Sequence, residues 1–205
     1  MKDSFKQEII NEGQFPYKKR KYQYQSIEDE DMKGIRDMEH RYSIMRIPSS
    51  FKNKTVLDIG CNLGMVSMMA SKKGAELCVG IDYKEETISV AKKYLNNKGL
   101  KNIKLITYDI NNGVDNLISL IGPKKFDYVF ALSIWKHVNK DNLYSIINYF
   151  CKEVCWFEGH NKQTEVFLKT ELLKNLKFSK IDFLGYSIDR GKRPNFVLRN
   201  ELETI

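Results

Sequence analysis

The sequence predicts an α/β fold: a mostly parallel, seven-stranded sheet with a C-terminal antiparallel hairpin and an N-terminal helical extension. Three observations predict it. From Lys54 onward, short apolar runs of strand length alternate with stretches of helical period, and strands separated by helices run parallel with both faces covered. The last two strand runs follow each other closely across DRGKRP (189–194), the spacing of a hairpin. Residues 1–50 are polar and lack the alternation, so they read as an extension or lid ahead of a main domain over 51–205.

In chain order, the extension holds one expected helix, from about Met32 to Ile47, stopped by Pro48 and two serines. Strands follow at TVLDI (55–59), ELCVGID (76–82), IKLITYD (103–109), FDYVFAL (126–132) and EVCWFE (153–158). The terminal pair is FSKIDFLGY (178–186) and NFVLRN (195–200). Helical stretches lie at 65–74, 85–99 and 141–152.

Composition narrows the function. The chain has 205 residues, enough for one domain with a real core, and no apolar run approaches the roughly 20 residues of a membrane span. Its N-terminus lacks a signal-peptide core, which leads us to expect a cytoplasmic protein. The four cysteines, Cys61, Cys78, Cys151 and Cys155, form no C-x-x-C pair and have no histidines at zinc spacing, so no metal site is expected. A net charge of +8 allows an anionic partner such as nucleic acid or a phosphorylated substrate. The densest basic stretch is YKKRKYQYQ (17–25), where cations interleave with aromatics.

The glycine turn VLDIGCNLG (56–64) sits where an open parallel sheet binds its ligand, beyond the carboxyl end of the first strand. Asn62 stands where a dinucleotide fingerprint needs its second glycine, and the G-K-[ST] of a phosphate loop is absent. Three acids end the first three strands, Asp58, Asp82 and Asp109, and should gather at one sheet edge. Asp82, some twenty residues past Gly60, suits the hydroxyls of a ribose. Asp58 at the turn mouth would repel a pyrophosphate and favour a cationic ligand, an ammonium beside a sulfonium. That ligand is S-adenosyl-L-methionine.

With these residues the chain resembles the class I S-adenosylmethionine-dependent methyltransferases over about residues 54–200. VLDIGCNLG is similar to their first motif, GIDY (80–83) to the second, YDI (108–110) to the third and FDYVFALSIWKHV (126–138) to the fourth. The resemblance implies a Rossmann-like three-layer sandwich. It implies contacts from Asp58, Gly60, Cys61, Asn62 and Gly64 to the methionine part, and from Asp82 to the ribose. Tyr83 would lie beside the adenine, with Asp109 and Ile110 at its amino group and face, and Leu132 and Ser133 would line the methyl end. The lead-in QSIEDEDMKGIRDMEHRY (25–42) is also similar to that of methyltransferase units that cap O-antigen chains, which makes Arg36 the expected partner of the methionine carboxylate.

Methyl transfer needs mainly in-line placement, with a base only for a protonated nucleophile. His137 is the candidate base, and Glu158 and His160 would complete the acceptor pocket. Neither an [ND]-P-P-[YF] nor a Pro-Cys follows the fourth strand, which counts against methylation of DNA bases. The expected activity is methyl transfer to an oxygen or nitrogen of a small-molecule or glycan-like acceptor. Two rivals stay open: an RNA methyltransferase using residues 17–25 and 190–193 as phosphate contacts, and a non-catalytic S-adenosylmethionine-binding module.

Overall fold

The computed structural model describes residues 3–12, 14–17, 20–27, 30–189 and 191–200. Helix α1 (Asp3–Glu12) and the small hairpin β1 (Gln14–Tyr17) and β2 (Arg20–Gln23) open the chain, followed by α2 (Met38–Met45). The main unit runs β3 (Thr55–Ile59), α3 (Met65–Lys72), β4 (Leu77–Asp82), α4 (Glu85–Asn97) and β5 (Ile103–Thr107). A 3-10 turn (Ile110–Asn112) leads into α5 (Val114–Ile121), then β6 (Phe126–Leu132), α6 (Lys140–Phe150) and β7 (Cys151–Glu158). Helix α7 (Glu165–Asn175), β8 (Lys180–Ser187) and β9 (Arg193–Arg199) complete it.

The seven-stranded sheet has the order β5-β4-β3-β6-β7-β9-β8. The first five strands pair in parallel, and β9 inserts antiparallel between β7 and β8 as the far arm of the terminal hairpin. Strand residues alternate between two buried layers, as the pleat requires. Leu57, Val129 and Phe157 face the layer that holds Leu143, Ile147, Leu168 and Leu172, while Val56, Phe130 and Trp156 face Met38, Met45, Phe51 and Leu95. On that second layer Phe130 and Trp156 stack at 4.7 Å, and Trp156 Nε1 donates to the Met45 carbonyl at 3.0 Å. An aromatic pair of this kind adds about 0.5–1.5 kcal/mol beyond the area it buries. Here the pair joins β6 to β7, and the Trp156 hydrogen bond to Met45 ties α2 to the sheet.

Helix α2 is shorter than the expected Met32–Ile47. Asp37 caps it by accepting from the His40 amide at 2.9 Å, and Arg46 ends it in the left-handed region at φ 51°. The residues before Asp37 fold back instead: Ile27 bridges Met32, Gln25 bridges Arg36, and the Arg36 amide donates to the Tyr24 carbonyl at 2.8 Å. Gly34 permits this, because a Cβ there would stand 2.4 Å from the Gln25 carbonyl carbon. Helices α1, α5 and α7 and the β1–β2 hairpin were not foreseen, and Tyr108 and Asp109 lie just past β5 rather than within it.

Candidate active site

The chain leaves β3 and β6, neighbours in the sheet, in opposite directions, and their carboxyl ends therefore open a crevice. A cavity of about 620 Å³ occupies it. Its walls include Asp58, Gly60, Asn62, Asp82, Tyr83, Asp109, Ile110, Leu132, Ser133 and His137, together with Tyr24, Gln25 and Arg41 from the extension. Gly60 (φ 76°) and Asn62 (φ 50°) hold left-handed backbone in the turn, and a Cβ on Gly60 would meet Ile134 Cδ1 at 2.8 Å. The amides of Gly60 and Cys61 both donate to the Ile81 carbonyl, at 2.8 and 2.9 Å, which presses the turn against β4. Cys61 and Gly64 shape this turn without lining the cavity.

The acids sit together as the strand ends require. Asp82 accepts from the Asn62 amide at 3.0 Å through one oxygen and from the Lys84 amide at 3.1 Å through the other. Each oxygen keeps further accepting capacity. Burial raises the Asp82 pKa, and the amides of Lys84, Asn62 and Tyr83 hold it back. Asp58 is buried, and its Oδ2 has no hydrogen-bond partner among the described residues. Burial pushes its carboxyl up to about 7, opposed by Arg41 and by hydrogen bonding from Ser67, and reinforced by Asp82. Asn62 Oδ1 is also without a hydrogen-bond partner among the described residues. Buried acceptors left open in this way are rare and invite a donor from a ligand. Asp109 turns its side chain to the Asn111 amide at 2.9 Å, and Tyr83 stands 72% exposed at the mouth.

Behind the Ser133 wall lies a buried ionic cluster. Glu158 accepts from Arg36 Nη2 at 2.7 Å, Arg41 Nη2 at 2.7 Å and Ser187 Oγ at 2.6 Å, and Ser133 Oγ donates to it as well. Arg36 also pairs with Asp189 at 2.9 Å and donates to Ser133 Oγ at 2.9 Å, which Arg193 reaches at 2.8 Å. Burial raises the Glu158 pKa in isolation, but the Arg41 and Arg36 guanidiniums overcome this and hold it far below the usual carboxylate range. Burial likewise works against the charge of Arg36, and Glu158 and Asp189 outweigh it, so its pKa is raised.

A family model described as a methyltransferase domain matches residues 50–181. The chain belongs to this methyltransferase family. A solved magnesium protoporphyrin IX methyltransferase from Synechocystis with bound S-adenosylmethionine shares the fold, with a TM-score of 0.59 at 14% identity over 80% of this chain and 79% of that one. Protein arginine N-methyltransferase 1 of Schizosaccharomyces pombe is 37% identical over 65 residues, 31% of this chain and 19% of that protein. The ribosomal protein L11 methyltransferase of Fusobacterium nucleatum is 34% identical over 127 residues, 59% of this chain and 38% of that protein. The chain thus spans about a fifth to two fifths of the length of these curated relatives. Among solved structures, the bifunctional kinase-methyltransferase WbdD superposes with a TM-score of 0.66 at 19% identity, over 89% of this chain and 44% of that one. That likeness is one of fold.

The methyltransferase site fits the donor on two observations: the open oxygens of Asp58 and Asn62, and the glycine cradle that a Cβ would fill. Of the expected donor contacts, the cavity walls hold all but Arg36, Cys61 and Gly64. Arg41 lines the cavity where Arg36 does not. Its Nη1 has the Met38 thioether at 3.3 Å, a weak acceptor, so it retains donating power. The signal for Arg41 was present as Glu39-His40-Arg41, a second arginine five residues beyond Arg36.

The three candidate catalytic residues part company. His137 is exposed and lines the cavity. Glu158 is fully buried in ion pairs and does not line it. His160 is buried behind His137, ring centroids 5.0 Å apart, and its Nε2 accepts the Lys136 amide at 3.2 Å. Burial, then Arg193, His137 and Lys136, push its pKa down to about 3, so it stays neutral and weakly basic. Trp135 is in the core, donating to Tyr144 Oη at 2.6 Å. Lys18, Lys19 and Arg190 of the basic stretches lie outside the described residues, and Arg193 is buried.

Proposed function

We propose that this methyltransferase domain moves a methyl group from S-adenosyl-L-methionine to an oxygen or nitrogen of a small-molecule or glycan-like acceptor. The observation that supports the reading is a cavity that joins the buried Asp58, with its unpartnered Oδ2, to an exposed histidine. Its volume of about 620 Å³ lies within the roughly 300–1,000 Å³ of small-ligand sites.

Asp82 would accept from the ribose hydroxyls, Asp58 from the ammonium, and Arg41 would donate to the carboxylate through Nη1, whose partner here is the weakly accepting Met38 thioether. Asp109 and Ile110 would take the adenine, and Leu132 and Ser133 the methyl end. When bound, the cofactor supplies a methyl group made electrophilic by a sulfonium. The chain's own part is placement. The apolar flank of Leu132, Ile134 and Val138 excludes water from the acceptor side, and His137 takes the acceptor's proton on a ring nitrogen. Glu158 acts from behind the wall, fixing Ser133 and both arginines.

Calorimetry with S-adenosylmethionine, its demethylated product and NAD tests the donor half of the reading, with micromolar binding expected for the first two only. Tight NAD binding would overturn it. For the acceptor half, His137→Ala should lower kcat about 10²-fold or more while leaving donor binding intact.

A further inference from the structure

Beyond the cavity walls, the loops at the carboxyl edge of the sheet differ in charge on the two sides of its switch point, although Lys84 lines the cavity on the acidic side. Asp58 lies one residue from the end of β3, Asp82 ends β4 and Asp109 follows β5, and these strands form one half of the sheet. The other half, in the loops after β6 and β7 and at the entry to β9, carries Lys136, Lys162, Lys192 and Arg193 around His137 and the neutral His160. These loops touch one another. Lys136 Nζ is 3.4 Å from the Asn161 carbonyl, its amide meets His160, and a Cβ on Gly191 would come within 2.7 Å of the Asn161 side chain.

Few anions balance this half. Glu158 and Asp189 are held by Arg36 and Arg41, and Asp141 and Glu165 occupy the first turns of α6 and α7, where a helix N-terminus favours negative charge. Lys136 and Lys162 are exposed and have no carboxylate within ion-pair distance among the described residues. Lys192 lies over the Tyr186 ring at 4.6 Å. Burial is the main cause of the depressed basicity of His160, and the charges of Arg193 and Lys136 add to it.

We propose that the acceptor carries an anionic group, a phosphate ester or a carboxylate, which Lys136 and its basic neighbours hold beside His137. The inference rests on the methyltransferase reading and names the substrate class of that site. The site is then charged in two opposite senses: acids face the cationic donor and cations face an anionic acceptor. Such a split orients both ligands before they meet.

The test uses the full chain saturated with S-adenosylhomocysteine, whose own binding is measured first. If that product does not bind, the methyltransferase reading fails rather than this inference. Glucose 1-phosphate, glucuronate and glucose then serve as probes of phosphate, carboxylate and neutral chemistry. One or both anions should bind, more weakly as salt rises, with glucose far behind. Lys136→Gln should weaken the bound anion about tenfold, and Lys136→Arg should restore it. Glucose binding as well as the anions, no anion binding at millimolar concentration, or an unaffected Lys136→Gln variant would each overturn the proposal. Tight binding of single-stranded RNA with a steep salt slope, indifferent to Lys136, would overturn it in favour of a nucleic-acid acceptor.

Discussion

Asp58 carries a proton balance that ligand binding should reveal. Its folded carboxyl holds a proton up to about pH 7, well above the ordinary aspartate value, because burial outweighs the pull of Arg41. A cationic ligand prefers the ionised form. Donor affinity should therefore be flat above pH 8 and fall as pH drops below 7, approaching about tenfold per unit. Asp58→Asn should bind weakly and show no such fall; calorimetry across pH 5.5–8.5 that finds the same profile in both proteins would refute the role. The effect on stability has the opposite sign to that of an ordinary ion-paired acid. The folded state binds the Asp58 proton more tightly than the unfolded chain does, so ionising it costs stability as pH rises from about 4 to 7. Glu158 behaves conversely: its folded pKa is depressed, so its contribution is present above the unfolded value and is lost as pH falls. At Asp82, replacement by Ala should weaken donor binding by about 1–3 kcal/mol. These acids were legible in the sequence because a strand's end fixes where its next polar residue points. Arg41 was not, since the choice between two arginines depends on a carboxylate 117 residues away.

At the scale of elements, the backfolded segment 24–36 is what the sequence concealed. Local composition suggested a helix from Met32, whereas the close approach of Gly34 to Gln25 and the cap at Asp37 delay it to Met38. The segment supplies Tyr24 and Gln25 to the cavity, so its shape matters to the ligand. Gly34→Ala would drive a methyl group into backbone atoms of Gln25 and Ser26, at 2.4 and 2.5 Å, and neither can move cheaply. We expect the loop to open at a cost of about 1–3 kcal/mol. Hydrogen exchange should then lose protection at the Ser26 and Arg36 amides, and donor Kd should rise, while the sheet amides stay protected. Unchanged exchange at both amides would show that the loop does not depend on this contact. Helices α5 and α7 were missed for different reasons. The first is only eight residues long, and glycines cap both its ends. The second exposes Val166, Phe167 and Leu173, which blurs the apolar stripe that reveals a helix. The strands of the main sheet were read to within a few residues because their apolar runs are set off by turns and helices on each side.

Across the whole molecule, the ionic cluster at Glu158 joins parts that the sequence keeps far apart. Arg36 and Arg41 come from the N-terminal segment, Ser133 from the end of β6, and Ser187 and Asp189 from the terminal hairpin. The buried carboxylate is tolerable only because both guanidiniums neutralise it. Removing residues 1–50 would therefore do more than strip a wall from the cavity. It would leave Glu158 charged and buried without either arginine, a loss that costs about 3–5 kcal/mol for a broken buried pair. The apolar contacts of Ile27, Met38 and Met45 would be lost as well. The two contributions can be separated. The truncated chain should melt far below the full chain, and Glu158→Gln should raise the Tm of the truncated chain while lowering that of the full one. Only a charge left without its partners gives this reversal of sign. If Glu158→Gln lowers Tm in both backgrounds, the segment stabilises the fold through its apolar packing alone. If truncation leaves Tm unchanged, neither the arginines nor the apolar contacts of the segment hold the domain together.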